Sequence, residues 1–225
     1  MSNGVTAWSY SRFADYKQCP FRFKLKYIDK LPTAGSPAME RGNAIHKMAE
    51  DYIKAKKPPK LPEALKNVKA ELEHCREAGA MAELPWGFRQ DWSWTGKPDW
   101  FGRDVFFRMK ADVAISYDDD TGLVGDWKTG RRYDENQEQV KLFGAVALMR
   151  FPNWSSVDVR LWYTDQPPEN NEFDAQFSRR EGELIRKDWD KKVVPMFKDR
   201  RWAPTPNDKC KWCDFRKSEG GPCKF

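Results

Sequence analysis

The sequence predicts an α/β fold in which a mixed central sheet is flanked by helices. Stretches with apolar residues at helical spacing alternate along the chain with short stretches in which every second residue is apolar. Helical stretches precede, separate and follow the strand-like ones, which is the order expected of an α/β core. The predicted elements are helices at 9–27, 38–56 and 62–79, strands at 88–94, 103–117 and 122–128, a helix at 136–150, strands at 157–163 and 172–177, and a helix at 179–201.

The chain is expected to divide into three consecutive segments of one compact domain. Residues 1–84 form an N-terminal helical region, residues 85–178 supply the core sheet and its helix, and residues 179–225 form a C-terminal helix followed by a cysteine-rich segment. Ser9 or Ser11 is placed to cap the first helix. Pro20 is expected to kink that helix or to begin a new one.

Composition indicates a soluble protein with a basic surface. Charged residues make up 33% of the 225 residues, and no apolar run approaches the ~20 residues of a membrane span. The N-terminus has no charged region followed by an apolar core, so no secretory signal is predicted and a cytoplasmic location is expected. The net charge of +6 permits a polyanionic partner without requiring one.

The most informative stretch runs from Gly125 to Gly130 and reads Gly-Asp-Trp-Lys-Thr-Gly. Because side chains alternate along a strand, Asp126 and Lys128 share one face and Trp127 lies on the other. A carboxylate and an ammonium group placed in this way suit a metal-assisted hydrolase.

A second carboxylate, Asp112, lies on the strand before this stretch. Residues 118–122, Asp-Asp-Asp-Thr-Gly, read as a hairpin turn between the two strands. The hairpin would bring Asp112 close to Asp126 and Lys128. The same residues would also suit a salt-bridged surface hairpin, so the local pattern leaves both interpretations open.

His46 and the cysteines are the remaining candidates for chemistry. His46 lies at the edge of the apolar stripe of the second helix, where a histidine is more often structural than a ligand. Cys19 lies near the start of the chain, while Cys210, Cys213 and Cys223 lie within its last sixteen residues. Without a secretory signal these thiols argue against a disulfide framework. Cys75, isolated in a helical stretch, is expected to be a buried apolar residue.

Together these residues resemble the PD-(D/E)XK nuclease superfamily, and most closely its RecB- and AddB-type nuclease domains and the CRISPR-associated exonucleases with a cysteine-held cluster. The resemblance covers nearly the whole chain. It rests on an ordered set of motifs: Ser-Arg-Phe followed by Tyr-x-x-Cys-Pro (11–20), Gly-x-x-x-His (42–46), Ala-Asp-Val (111–113), Gly-Asp-Trp-Lys-Thr-Gly (125–130), a helix bearing Gln139, and the C-terminal cysteines. The sequence departs from the family pattern at Phe143, where relatives usually carry tyrosine, and at Asp126, where many carry glutamate.

The resemblance implies a restriction-endonuclease-like core and a set of site residues. It implies His46, Asp112 and Asp126 as metal ligands, Lys128 as the catalytic lysine, and Gln139 as an active-site glutamine. It also implies a C-terminal subdomain with a 4Fe-4S cluster held by four cysteines: Cys19, Cys210, Cys213 and Cys223.

The chemistry of these groups leaves some alternatives open. Two carboxylates suit Mg²⁺, and an imidazole ligand shifts the preference toward Mn²⁺. Four thiols suit a tetrahedral Zn²⁺ as well as an iron–sulfur cluster, and four free thiols are the third alternative. Either metal centre would stabilise the fold by joining the two ends of the chain.

The predicted function is that of a Mg²⁺- or Mn²⁺-dependent DNA exonuclease acting on ends or single strands in recombination or repair, alone or with a helicase or recombination partner. Arg131 and Arg132 are candidate phosphate contacts, or simply an exposed loop pair. A structure-specific endonuclease and a catalytically inactive DNA-binding or assembly module are the alternatives.

Overall fold

A five-stranded mixed sheet forms the core of the computed structural model, which describes residues 4–96, 100–133 and 136–225. The α/β prediction is therefore confirmed. The helices are α1 (Tyr10–Gln18), α2 (Pro20–Phe23), α3 (Pro37–Lys54), α4 (Lys69–Glu77), α5 (Asn136–Arg150) and α6 (Arg179–Lys198). The strands are β1 (Met81–Phe88), β2 (Phe107–Ser116), β3 (Thr121–Lys128), β4 (Ser156–Tyr163) and β5 (Glu172–Ser178).

The strands lie in sequence order across the sheet, and only the β3–β4 pair is parallel. A parallel pair needs a long crossover connection, and α5 supplies it between β3 and β4. The β2–β3 hairpin has the predicted turn, in which Oδ1 of Asp118 accepts the N–H groups of Asp120 at 2.8 Å and Thr121 at 2.6 Å. None of the helices in the described ranges combines the length and the apolar character that crossing a bilayer requires.

The first strand differs from the sequence prediction, which placed it at 88–94. The strand β1 instead ends at Phe88, and residues 89–93 form a tight turn in which the Arg89 N–H donates to the Ser93 carbonyl at 2.9 Å. Trp92 in this turn has φ +66°, a left-handed conformation that interrupts a strand. The prediction was wrong because Pro85, which lies within β1, is a residue that usually excludes a strand.

The first helix is interrupted at Cys19, so the single helix predicted at 9–27 is wrong in extent. Ser9 caps α1, as predicted, by accepting the Arg12 N–H at 3.3 Å. Cys19 has an extended backbone and Pro20 begins α2. A π-helical turn at Lys24–Ile28 follows α2.

Contacts divide the chain into a central unit, Pro37–Trp189, and a terminal unit that joins Met1–Ser36 to Asp190–Phe225. The central unit holds the sheet together with α3, α4 and α5. The terminal unit holds α1, α2 and the C-terminal cysteines. In the terminal unit, Phe23 stacks on Trp202 with ring centroids 5.7 Å apart.

Gly125 allows two large aromatic side chains to pack beside the Gly125–Gly130 stretch. A Cβ atom at this position would overlap the ring of Trp162 and lie 2.7 Å from Cγ2 of Val113. Trp162 in turn stacks on Trp127, with ring centroids 4.6 Å apart, and both side chains are buried. This packing places Trp127 in the core and fixes the strand that carries Asp126 and Lys128.

Candidate active site and cysteine pocket

Asp126 and Lys128 form an ion pair at the C-terminal end of β3. The Nζ atom of Lys128 lies 2.5 Å from Oδ2 of Asp126 and donates a hydrogen bond to Oε1 of Gln139 at 3.1 Å. Asp126 is only 6% exposed. Burial raises the pKa of Asp126 above its ordinary value, although the charge of Lys128 acts in the opposite direction. A buried carboxylate whose charge is only partly balanced favours a cation beside it.

Asp112 on β2 connects this strand end to α3. Its Oδ1 lies 3.1 Å from Nδ1 of His46, and its Oδ2 accepts the N–H of Trp127 at 2.7 Å. Burial acts to lower the pKa of His46, but the hydrogen bond to Asp112 and the negative charges of Asp112 and Asp126 raise it. The structure therefore brings the imidazole and both predicted carboxylates into one electrostatic environment.

Glu83 on β1 is a site residue that the sequence analysis missed. One ligand atom each from His46, Glu83 and Asp112 lie within 4.8 Å of one another, the spacing of a metal site. Glu83 has φ +58°, a strained conformation for a residue with a side chain. Its Oε2 pairs with Lys110, whereas its buried Oε1 accepts no hydrogen bond from any residue that the structure describes. The signal for Glu83 in the sequence was a single acid within the otherwise apolar run from Ala82 to Trp86. The sequence analysis did not recognise that run as a strand.

The donor set fits a divalent metal ion. Carboxylate oxygens and a neutral imidazole nitrogen are ligands for Mg²⁺ and Mn²⁺. Within the described residues, Oε1 of Glu83 is buried without a hydrogen bond, whereas Oδ2 of Asp126 has the Lys128 ammonium group 2.5 Å away. A buried oxygen like that of Glu83 costs free energy unless a cation or another partner satisfies it.

The two candidate phosphate-binding arginines are in different situations. Arg131 is exposed. Arg132 donates to Oδ1 of Asn170 at 2.9 Å and lies over the ring of Tyr163, 5.3 Å from its centroid. Both side chains are exposed, but Arg132 is also engaged with other residues of the protein.

The four predicted cluster cysteines line one pocket in the terminal unit: Cys19, Cys210, Cys213 and Cys223. The Sγ atom of Cys19 accepts the N–H groups of Arg22 at 3.5 Å and Thr205 at 3.4 Å. The Sγ atom of Cys210 accepts the N–H of Asn207 at 3.3 Å. Cys75 is separate from this pocket and lies in the core of the central unit, as predicted.

The spacing of the sulfur atoms limits what the pocket would hold. Among the described residues, no three of these cysteine sulfurs lie within 4.8 Å of one another. A tetrahedral Zn²⁺ with Zn–S bonds of ~2.3 Å brings its sulfurs to within about 3.8 Å. The described residues therefore do not show these sulfurs gathered at the spacing of a zinc site.

Comparison with solved structures gives a similar fold at low sequence identity. A putative exonuclease from Eubacterium rectale matches with a TM-score of 0.52 and 12% identity, over 93% of this chain and 88% of that one. An alkaline exonuclease from Laribacter hongkongensis matches with a TM-score of 0.42 and 10% identity, over 86% of this chain and 91% of that one. The search of curated proteins returns no significant match.

The family comparison is decisive because it spans nearly the whole sequence. The profile of the PD-(D/E)XK nuclease superfamily matches residues 7–218, which include every residue of the candidate active site. The α/β core, the paired Asp126 and Lys128, and the nearby Asp112 agree with that match. The chain therefore belongs to the PD-(D/E)XK nuclease superfamily.

Proposed function

We propose that this protein is a divalent-metal-dependent DNA nuclease of the exonuclease type. The observation that carries the proposal is the convergence of His46, Glu83 and Asp112 beside the buried pair of Asp126 and Lys128. An imidazole from α3, three acids from β1, β2 and β3, and a lysine at the end of β3 suit phosphodiester hydrolysis. The exonuclease type is supported by the sequence resemblance and by the name of the Eubacterium rectale protein.

His46, Asp112, Asp126 and the newly identified Glu83 would hold the metal ion, which is Mg²⁺ or, because of the imidazole, Mn²⁺. When bound, such an ion polarises the scissile phosphate and lowers the pKa of the attacking water. Asp112 keeps one oxygen on the Trp127 N–H, so its orientation is fixed before a metal arrives.

Lys128 would provide the positive charge that stabilises the transition state of hydrolysis. In the structure its ammonium group is held between Oδ2 of Asp126 and Oε1 of Gln139. Gln139 thus orients Lys128 from α5 without adding charge. Arg131, exposed after β3, is the candidate contact to a substrate phosphate.

The test is a nuclease assay with Mg²⁺ or Mn²⁺ that compares the wild-type protein with Asp126→Asn and Lys128→Ala. Each variant is expected to lose about 100-fold or more of the activity, because Asp126→Asn removes a charged metal ligand and Lys128→Ala removes the positive charge that stabilises the transition state. Asp119→Asn is the matched control, since Asp119 is an exposed acid on the same hairpin. A wild-type protein that leaves all DNA intact would support the inactive-module alternative instead.

The choice of DNA separates an exonuclease from a structure-specific endonuclease. An exonuclease degrades linear DNA and leaves covalently closed circles uncut. Cleavage of closed circles that carry a flap or bubble, at the junction, would favour the endonuclease. Such activity on ends would serve recombination or repair, with a helicase or recombination protein supplying the unwound strand.

We also propose that the terminal unit holds an iron–sulfur cluster of the 4Fe-4S type. All four cysteines line one pocket, and the sequence resemblance implies a cluster of this type. Three backbone N–H groups donate to two of the sulfurs, and Arg22 and Lys209 line the same pocket. Hydrogen bonds of this kind to the sulfur atoms would also orient cysteine ligands around a bound cluster.

Anaerobic purification followed by visible absorption spectroscopy and metal analysis tests the cluster. A brown protein that contains iron and sulfide supports it, and a colourless protein that contains zinc supports the alternative ion. Cys19→Ser is expected to lose the colour. Cys75→Ser, which alters a thiol outside the pocket, is expected to retain it.

A further inference from the structure

Arg41 and Asp165 form a two-pronged ion pair outside the candidate catalytic set. Nη1 of Arg41 donates to Oδ2 of Asp165 at 2.8 Å, and Nη2 pairs with the other carboxylate oxygen. Arg41 lies on α3, and Asp165 lies two residues after β4. A fork-to-fork contact of this kind fixes the relative direction of two elements as well as their separation.

Asp165 also holds the turn that follows the catalytic lysine. Its Oδ2 accepts the N–H of Gly130 at 2.6 Å, and the neighbouring Gln166 side chain donates to the Gly130 carbonyl at 3.1 Å. The N–H of Thr164 donates to the carbonyl of Lys128 at 2.9 Å. Residues 164–166 therefore bind both ends of the Lys128–Gly130 turn.

The Arg41–Asp165 ion pair also places the start of α3 against the Lys128–Gly130 turn. A Cβ atom on Gly42, the residue after Arg41, would lie 3.8 Å from Oγ1 of Thr129, an ordinary van der Waals distance. His46 follows Arg41 by five residues, about 7.5 Å along the helix axis. All these residues belong to the central unit.

The position of the His46 ring depends on how α3 is held, because the ring has little polar contact of its own in the described part of the chain. Its side chain is 31% exposed, and among the described residues its ring makes one hydrogen-bonding contact, at 3.1 Å, with Asp112. A small rotation or shift of α3 would therefore move Nδ1 away from Asp112. The Arg41–Asp165 pair opposes that movement at the helix end nearest the turn.

We propose that Arg41 and Asp165 are positioning residues that hold His46 in register with Asp112 and with the strand bearing Asp126 and Lys128. The pair acts through α3 and the Lys128–Gly130 turn, and it does not contact the metal itself. Its consequence for metal affinity rests on the proposed nuclease function. Its consequence for the position of His46 is independent of that function.

The chain offers a selective probe of this proposal, because it has only two histidines, His46 and His74. Imidazole ¹H–¹⁵N correlation spectra of metal-free protein, at one fixed pH, report on both. Arg41→Ala and Asp165→Asn are expected to shift the His46 signals and to leave those of His74, which contacts Tyr117, in place. Arg41→Lys keeps the positive charge but lacks the two-pronged guanidinium group, so it is expected to shift the His46 signals less than Arg41→Ala does.

Metal affinity is the second measurement, made by calorimetric titration with Mn²⁺. Arg41→Ala is expected to weaken binding about tenfold, the scale seen when groups that orient ligands are removed. The reversed pair, Arg41→Glu with Asp165→Arg, is expected to recover part of that loss. Lys54→Ala is the control, because Lys54 makes an ion pair of 2.6 Å with Glu50 on the same helix.

Unchanged His46 signals in both Arg41→Ala and Asp165→Asn would overturn the proposal. So would equal changes at His46 and His74, which indicate general loosening of the fold. If His46 shifts selectively while the wild-type protein binds no divalent ion, the positioning role is supported and the nuclease proposal is the one that fails.

Discussion

Nδ1 of His46 lies 3.1 Å from Oδ1 of Asp112, although 66 residues separate the two in the sequence. The other oxygen of Asp112 accepts the N–H of Trp127, so a single carboxylate joins α3, β2 and β3. Because Asp112 is 4% exposed, this junction is protected from competing water. The geometry of the candidate metal site is therefore set by three elements of the sheet and its neighbouring helix.

Gln139→Leu is predicted to lower the rate of DNA hydrolysis about tenfold while leaving metal affinity unchanged. Gln139 accepts the hydrogen bond from Lys128 and is not a metal ligand, so its loss frees the lysine to turn wholly toward Asp126. Steady-state kinetics and Mn²⁺ titration separate the two effects. Gln137→Leu, at an exposed position of the same helix, should behave as the wild type. Weakened metal binding by Gln139→Leu would contradict this role.

Glu83→Gln is predicted to weaken Mn²⁺ binding at least about tenfold. The change removes the charge of a proposed ligand, while its partner Lys110 is 43% exposed and can be solvated by water. The stability of the metal-free protein should therefore change by less than about 1 kcal/mol. Calorimetric titration and urea unfolding measure the two quantities. A large loss of stability with unchanged metal affinity would assign Glu83 a structural role only.

The parts of the site that were predicted from sequence are those set by local regularity. Asp126 and Lys128 share a strand face because of the two-residue period, and Asp112 reaches them through one short hairpin. The proximity of His46 to Asp112 depends on how α3 packs against the sheet, and no local sequence pattern describes that packing. The place of His46 in the site was therefore inferred from the family resemblance alone.

Glu83 was missed for a physical reason. Its strand contains Pro85, and Glu83 itself has a positive φ, so neither strand propensity nor regular alternation marks the position. The helix break at Cys19 is similar, because the sequence allowed a kink or a new helix at Pro20 and only the extended backbone of Cys19 decides between them.

Gly125→Ala is predicted to destabilise the protein by about 3 kcal/mol, since the added methyl group must displace the Trp162 ring or Val113 in a packed core. Gly125→Ala combined with Trp162→Phe should lose less than the two single changes added together. Urea unfolding of all three variants measures this coupling. Gly42→Ala is the contrasting control. It lies in a helix with room for a Cβ atom, so a gain of about 0.5–1 kcal/mol is expected. Additive losses at positions 125 and 162 would show that the ring is not the obstacle.

Asp15→Asn is predicted to destabilise the terminal unit in a pH-dependent way. Burial acts to raise the pKa of Asp15, but hydrogen bonds from Tyr27 at 2.6 Å and Lys26 at 2.9 Å, with the charge of Arg22, hold it below its ordinary value. A carboxyl group with a depressed pKa stabilises the folded state fully above its unfolded pKa of about 3.9. That contribution is lost as the pH falls through the lower, folded pKa.

The substitution should therefore cost about 2 kcal/mol at neutral pH, the scale of hydrogen bonds to a charged group. The difference from the wild type should shrink as the pH falls below about 4. Chemical unfolding at several pH values measures it. Asp29→Asn, which breaks an exposed pair with Lys24, should cost less than about 1 kcal/mol. A difference at Asp15 that is constant between pH 7 and pH 3 would contradict the assignment of the shift to ionisation.

Four of the five thiols are predicted to react rapidly with a thiol reagent in reduced, metal-stripped protein, and the fifth only on unfolding. The four pocket cysteines are partly exposed, whereas Cys75 is fully buried. Burial, with the nearby charge of Glu71, raises the pKa of the Cys75 thiol to about 12, so almost none of the reactive thiolate is present at neutral pH. Cys75→Ser should leave four fast thiols, and Cys19→Ser should leave three. If the pocket binds its metal through all four sulfurs, reconstitution with that metal should protect the four thiols from the reagent together. Protection of only some of them would show that the remaining cysteines are not ligands.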